Sequence, residues 1–259
     1  MKSIFIFLNE IIQYIIDQFP YLLPLLWITA IFVYGFKFLN ARWNRFTLFG
    51  KLEDTSSWGA IPTIPNKAGW ILFYLFSCFM FFMTLFVQNP PKLGNYLLFF
   101  HSSRRILESI FITKFSQRRM HFINFLAGLT FYAMAPMTIA YCSHLNDPIS
   151  HQARSLLIVL AIILNILQFL AHFELASLPK YTIPTTFLFA KVTSPHYTIE
   201  ILLYFIYFLS SINVLTFLML VFVILNLTHQ SIMTYKWYNE KFGSEFRSYH
   251  RSIIIPYIF

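Results

Sequence analysis

Long apolar runs occupy most of the chain, and they constrain its fold more than any other feature. A helix needs about 20 mostly apolar residues to cross the hydrocarbon core of a bilayer. Runs of this kind cover residues 21–39, 69–88, 94–114, 119–141, 154–177, 197–212 and 214–233. The pattern predicts an all-α polytopic membrane protein, a bundle of seven transmembrane helices built as one domain over residues 1–259. Only "SSIN" separates the last two runs, so a count of six is the alternative in which they form one element.

The charges of the loops predict the orientation of the bundle. Only 11% of the 259 residues are charged, whereas soluble domains carry about a quarter. Most of the 19 lysines and arginines fall in loops on one side of the predicted membrane, together with the basic tail that follows Tyr235. Because cytoplasmic loops carry such an excess, we expect a lumenal N-terminus and a cytosolic C-terminus. The cations form short clusters between apolar runs, which argues against a nucleic-acid partner.

Cysteine and histidine spacing gives no indication of a metal site. Cys78 and Cys142 belong to no ligand motif. The eight histidines form no HxxHH box, which argues against a di-iron desaturase. The N-terminal "MKSIFIFLNE" has no small-residue cleavage signature, so we expect this segment to be retained.

The stretch "FFHSSRRILESIF" (residues 99–111) places four ionisable side chains inside the third apolar run. His101, Arg105 and Glu108 recur at spacings of four and three, so they share one helical face, and Arg104 lies one step around the helix. Ionisable groups at bilayer depth usually face the bundle interior and serve function. One interpretation is an internal salt bridge that neutralises itself. The other is that two arginines against one glutamate leave a net positive charge, which suits an anionic phosphate.

The fifth and sixth runs contain a second set of polar residues. Asn165, Gln168 and His172 form one stripe of the fifth helix. Ordinary hydrogen bonding between helices explains such a stripe as well as a binding role does. His196 and Glu200 share a face at the start of the sixth helix, where free amides and the helix dipole favour anions.

Three segments resemble the steroid 5α-reductase family, and within it the polyprenol reductase branch: "HSSRR", "SPHYTIEI" and the ending "WYNEKFGSEFRSYHRSIIIPYIF". The resemblance covers residues 95–259, which form the expected catalytic part. The N-terminal helices of residues 1–90 resemble the family mainly in their hydropathy. It implies a multi-pass enzyme of the endoplasmic reticulum membrane that binds NADPH on the cytosolic side. The implied reaction is reduction of a carbon–carbon double bond conjugated to a carbonyl. The implied substrate is a long-chain polyprenal, or the polyprenol from which it derives, and the dolichol product supports protein N-glycosylation.

The resemblance also implies a set of cofactor contacts. Arg105 matches the family's helix-three arginine, and Gln168 and His172 fall where helix five contacts the nucleotide. Pro179 occupies a position that is commonly arginine, so Lys180 is expected to serve a phosphate. Arg104 is a further candidate cofactor residue. The remaining implied cofactor residues are His196, where the family commonly has asparagine, and Glu200, Asn226, Tyr238 and Arg251.

The implied chemistry needs a proton donor. Hydride addition to the β-carbon of an enal places negative charge on the carbonyl oxygen, and a hydrogen-bond donor aimed there lowers the barrier. A proton must then reach the α-carbon. The tyrosine of the steroid-reducing branch is replaced by Ser102, so His101 is the first candidate donor. Tyr197 and Tyr235 follow it, the latter standing where the polyprenol branch has histidine.

Two classes of alternative stay open at the level of sequence. An isoprenylcysteine methyltransferase or a sterol C14-reductase also combines histidine, tyrosine and glutamate with a basic aromatic tail. A seven-span transporter or receptor belongs to a different class, and its buried charges would line a path from one side of the membrane to the other. The expected partners are the isoprenoid substrate and membrane lipid.

Overall fold

Helices make up most of the chain in the computed structural model, which describes residues 21–36, 62–87, 92–145 and 149–255. The predicted N-terminal segment and residues 37–61, which include most of the connector after the first helix, lie outside the described residues. The helices are α1 (Tyr21–Phe36), α2 (Asn66–Val87), α3 (Leu93–Phe111), α4 (Phe122–Leu145), α5 (His151–Ser177), α6 (Pro195–Ser210), α7 (Val214–Phe242) and α8 (Ser244–Ser248). Two short strands, β1 (Thr63–Pro65) and β2 (Arg119–His121), pair antiparallel.

Four of the described helices are long and apolar enough to cross a membrane, namely α2, α4, α5 and α7. Helix α5 illustrates the packing, because its buried residues form a narrow stripe. That stripe consists of Leu157, Ala161, Asn165, Gln168 and Ala171, and leucines, isoleucines and phenylalanines on the opposite side of the helix stay exposed. An apolar exposed face suits lipid. The described helices thus support a polytopic membrane protein, whereas the count of seven spans and the orientation stay predictions.

Several predicted helix boundaries shift by a few residues, and two of the changes have a clear physical cause. The fourth helix begins at Phe122, because the three residues before it pair with β1. Helix α7 continues to Phe242, so the segment predicted to be a tail from Tyr235 begins as helix. No proline or glycine interrupts α7 between its cap, Asn213, and Gly243, whose φ of 55° ends it. The Asn213 capping box also separates α7 from α6, so the last two runs form two helices.

Close contacts fix how the helices pack. The smaller apolar cluster joins α2 to α4 through Phe73, Met120 and Phe125. Gly128 lies against the Phe73 ring so tightly that a Cβ atom there would come within 3.0 Å of three ring carbons. The larger cluster fills the space between α1 and α3–α7.

One end of the bundle brings together the start of α2, the ends of α3 and α5, the start of α6 and the second half of α7. The connector between α5 and α6 runs over this end and includes a 3-10 turn, Phe187–Ala190. The C-terminal segment returns to the same place, where Val192 and Ser252 form a parallel bridge. The Thr193 backbone N–H donates to the Ser252 carbonyl over 2.9 Å. These connections position the candidate site.

Candidate active site

Helix α3 holds a buried carboxylate that two arginines share. The Glu108 side chain is 1% exposed. One of its oxygens accepts a hydrogen bond from Arg104, and the other accepts one from Arg105. His172 of α5 places Nδ1 2.8 Å from the Oε2 atom of Glu108. The i, i+3 and i, i+4 spacings therefore produce the ion pairs that the sequence predicts.

Three further side chains extend this network from α3 to α5 and α6. Gln168 accepts a hydrogen bond from Arg104 and donates one to Glu200. His101 Nε2 lies 3.4 Å from Glu200 Oε1, and Arg104 Nε donates to Asn165 Oδ1 over 2.9 Å. The stripe on α5 therefore has a defined role, since it connects the arginines of α3 to the carboxylate of α6.

The prediction of a net positive charge is wrong for the network as a whole. Two arginines face two carboxylates, because Glu200 joins the group from a helix that lies far along the chain. With neutral histidines, the formal charges cancel. Positive charge for an anionic ligand must then come from outside the network.

A cavity of about 350 Å³ lies where the helix ends meet, within the size range of ligand pockets. Lys114 and Lys180 contribute positive charge to its lining, and Lys180 Nζ also donates to the Phe115 carbonyl over 2.8 Å. The other polar lining residues are Asn66, Thr113, Ser116, Thr182, Thr193, His196, Tyr197, Gln230, Thr234 and Tyr238.

His196 connects the cavity to the network. Its ring lies 5.6 Å from the His172 ring and 4.2 Å from the Tyr197 ring, and both His196 and Tyr197 line the cavity. The His196 carbonyl accepts a hydrogen bond from Gln168 Nε2 at 3.3 Å. The charged network is thus in direct contact with one wall of the cavity.

The predicted site residues fall into two adjoining groups. His101, Arg104, Arg105, Gln168, His172 and Glu200 form the network. Lys180, His196, Tyr197 and Tyr238 line the cavity. Both ring nitrogens of His101 have partners within the network, since Nδ1 lies 3.3 Å from Arg104 Nη2 while Nε2 faces Glu200.

Three predicted site residues lie outside both groups. Tyr235 packs edge-on against Phe246, with ring centroids 5.2 Å apart. Asn226 stands one turn before the cavity residue Gln230, and its Oδ1 atom is buried without a hydrogen-bond partner. Arg251 is 7% exposed, and its Nε and Nη2 atoms are buried without an acceptor. Burial lowers the pKa of this guanidinium.

Helix α2 supplies residues that the sequence reasoning did not select. Tyr74 accepts a hydrogen bond from Arg105 Nε over 3.1 Å, and Ser77 shares a hydrogen bond of 2.9 Å with Ser102. Asn66 and Trp70 line the cavity. These residues lie in or beside an almost continuous apolar run, where no spacing pattern marks them. Only the position of Asn66 just before the run distinguishes it in the sequence.

Comparison with known proteins identifies the family of this chain. The sequence model of the family described as 3-oxo-5-alpha-steroid 4-dehydrogenase matches residues 118–259. The polyprenal reductase of Xenopus laevis is 30% identical over 185 residues, which cover 63% of this chain and 57% of that protein. The polyprenal reductase of Saccharomyces cerevisiae is 31% identical over 198 residues, which cover 76% of this chain and 75% of that protein.

The coverage differs between these relatives. The chain spans less than two thirds of the Xenopus protein and three quarters of the yeast one. The family match itself extends over more than half of this chain, from just before β2 to the C-terminus. The chain therefore belongs to the 3-oxo-5-alpha-steroid 4-dehydrogenase family, the steroid 5α-reductase family that its motifs predict.

Proposed function

We propose that the chain is an NADPH-dependent reductase of the α-isoprene double bond of a long-chain polyprenal, or of the polyprenol from which it derives. The observation that carries this proposal is the charge-neutral network of α3, α5 and α6 in direct contact with a polar cavity. Buried ionisable groups beside a cavity are typical of an active site. The names of the relatives support the reaction and the substrate class.

The residues around the cavity fit a phosphate-bearing dinucleotide. Lys114 and Lys180 offer charge to phosphates at the lining. Arg251 has two buried N–H-bearing atoms that lack an acceptor, and a buried guanidinium in that state favours an anion. Its guanidinium lies 4.5 Å from the centroid of the Tyr249 ring, which restricts its orientation. We therefore assign the phosphates to the two lysines of the lining, with Arg251, which lies outside the lining, as a third cation for them.

The side chains around the cavity have separate tasks in this reaction. When bound, the reduced nicotinamide supplies the hydride. Tyr197 lines the cavity and is the better placed donor to the carbonyl oxygen, because His101 has partners at both ring nitrogens. His101 and Glu200 then act on the site through the network, by holding Gln168 and the start of α6. Placement of one donor at a developing oxyanion contributes about 10²–10³ in rate.

The rest of the molecule suits a lipid substrate. Exposed leucine, isoleucine and phenylalanine side chains cover the outer faces of α2 and α5, where they can contact lipid and isoprenoid chains alike. A largely apolar bundle also limits the access of water to the reacting groups. We propose that the isoprenoid tail extends into the bilayer while the reacting end reaches the cavity.

We also propose that the chain spans the endoplasmic reticulum membrane seven times as one domain, with a lumenal N-terminus and a cytosolic C-terminus. The cavity lies at the end of the bundle that carries Lys67, Lys114, Arg119, Lys180 and Lys241, which supports a cytosolic position for that end. NADPH would then enter from the cytosol. The product of the reaction serves dolichol synthesis and thereby protein N-glycosylation.

One experiment tests the reaction. Purified protein in lipid nanodiscs is incubated with polyprenal and NADPH, and the lipid is followed by mass spectrometry. We expect a gain of two hydrogens on the α-isoprene unit, with polyprenol assayed in parallel. Absence of that gain, in a preparation that binds NADPH, contradicts the proposal. Methyl transfer from S-adenosylmethionine to an isoprenylcysteine would instead support the methyltransferase alternative.

A further inference from the structure

We infer that Asn66 and Trp70, at the start of α2, form the part of the cavity that binds a planar nitrogen heterocycle. This inference rests on the proposed function, since it assigns one end of the dinucleotide to residues outside the family match, which begins at residue 118. The two side chains lie one helical turn apart, so they share a face of α2. Both line the cavity.

Asn66 presents an unmet hydrogen-bond requirement. Its side chain is 4% exposed, and the Oδ1 atom is buried without a partner. A buried carboxamide oxygen without a donor is costly, and a ligand that brings an N–H group removes that cost. A phosphate oxygen has no proton to give at neutral pH. The acceptor therefore favours the carboxamide of nicotinamide or the amino group of adenine over a phosphate.

Trp70 supplies a flat apolar surface beside this acceptor. Its ring stacks on Tyr74 at a centroid distance of 6.0 Å and an interplanar angle of 27°, and it meets Phe73 edge-on at 5.6 Å. These contacts hold the indole in one orientation. The cavity has a second aromatic group, in which the His196 ring contacts the rings of Phe189 and Tyr197. A planar ring therefore finds aromatic partners from both α2 and the start of α6.

The positive charges line the cavity through other segments of the chain. Lys114 follows α3, and Lys180 lies in the connector after α5, where its Nζ atom donates to the Phe115 carbonyl. A dinucleotide matches this division, because its charged phosphates and its uncharged rings are different parts of one molecule. Stacking and one carboxamide contact at α2 then orient the ring while the lysines attract the phosphates.

Binding of NADPH to the full chain in nanodiscs, measured by calorimetry, tests the inference without any turnover. We expect Asn66→Ala to weaken binding about tenfold and Trp70→Leu to weaken it about tenfold to a hundredfold. Trp70→Phe retains a smaller ring, so its affinity for NADPH should lie between that of Trp70→Leu and that of the unaltered chain. The matched control is Asn239→Ala, whose carboxamide pairs with Arg247 at 3.0 Å and does not line the cavity. Its affinity should be unchanged.

Two fragments identify the ring. If Asn66→Ala binds reduced nicotinamide mononucleotide more weakly but binds adenosine 2′,5′-bisphosphate normally, the nicotinamide lies at α2. If it binds only adenosine 2′,5′-bisphosphate more weakly, the adenine lies there. NADPH affinity that is unchanged in both Asn66→Ala and Trp70→Leu overturns the inference and leaves the reductase proposal standing. An unaltered chain that does not bind NADPH overturns both. An unchanged melting temperature in each variant excludes misfolding as the cause of weaker binding.

Discussion

His101 and Glu200 approach each other across the bundle interior, with Nε2 of the histidine 3.4 Å from Oε1 of the glutamate. The pair connects α3 to α6, and it closes a loop of polar contacts through Gln168 and Arg104. The start of α6, and with it Tyr197, is therefore positioned by charged groups on two other helices.

Removal of the buried carboxylate of Glu108 should destabilise the fold. In Glu108→Gln, Arg104 and Arg105 lose their shared counter-charge, and breaking a buried pair in this way costs about 3–5 kcal/mol. The melting temperature in detergent should fall accordingly. The double variant Arg104→Gln, Glu108→Gln restores the balance of charge and should recover part of the loss. A double variant no more stable than Glu108→Gln would contradict this account.

Loss of Arg105 should weaken the use of NADPH. Arg105 bonds to Glu108 and Tyr74 and lies 2.7 Å from His172 Nδ1, so Arg105→Ala releases three side chains next to the cavity. We expect the KM for NADPH to rise at least about tenfold, the effect of losing about 1.4 kcal/mol. Arg154→Ala, at the exposed start of α5, is the matched control. An unchanged KM in Arg105→Ala would remove this residue from the site.

Tyr197 should affect the rate rather than the binding of substrate. Tyr197→Phe removes the hydroxyl of a residue that lines the cavity and keeps the ring. If that hydroxyl donates to the developing oxyanion, kcat should fall about 10²–10³-fold while KM changes little. Steady-state kinetics with polyprenal measure both quantities. Tyr96→Phe, on a half-exposed ring of α3, should match the unaltered chain, and equal rates for the two variants would exclude this role.

A single methyl group at Gly128 should disturb the contact of α4 with α2. In Gly128→Ala the new Cβ atom comes within 3.0 Å of the Phe73 ring, which is already stacked on Phe125 and Tyr132. Overpacking of this kind costs about 1–3 kcal/mol, and thermal unfolding should show it. Gly35→Ala in α1 is the control, because no atom lies within 4 Å of a Cβ atom there. Equal melting temperatures for the two variants would contradict the tight contact.

The sequence predicts the local part of the site well. His101, Arg104, Arg105 and Glu108 are close along one helix, so their spacing alone determines which of them can meet. The charge of the complete network depends on Glu200, which belongs to another helix. Spacing along the chain says nothing of that contact, and the expected positive charge was wrong for this reason.

Two tyrosines in the last part of α7 show a second limit of prediction from the sequence. Tyr235 and Tyr238 are three residues apart on α7, and only Tyr238 lines the cavity, while Tyr235 packs against Phe246. The tail was predicted without a helix at this point, so no helical face could be assigned to either ring. Asn66 and Trp70 were not selected because, beside and within a long apolar run, the sequence does not distinguish the buried face of the helix from the exposed one.

The bridge between Val192 and Ser252 has a consequence for biosynthesis. Thr193 and Thr198, at the entrance of α6, both donate to carbonyls of the C-terminal segment. One wall of the cavity thus depends on residues that the ribosome adds after the long helices of the described part of the chain are complete. The chain can insert its helices during translation, but it acquires a finished site only after synthesis has passed Ile254.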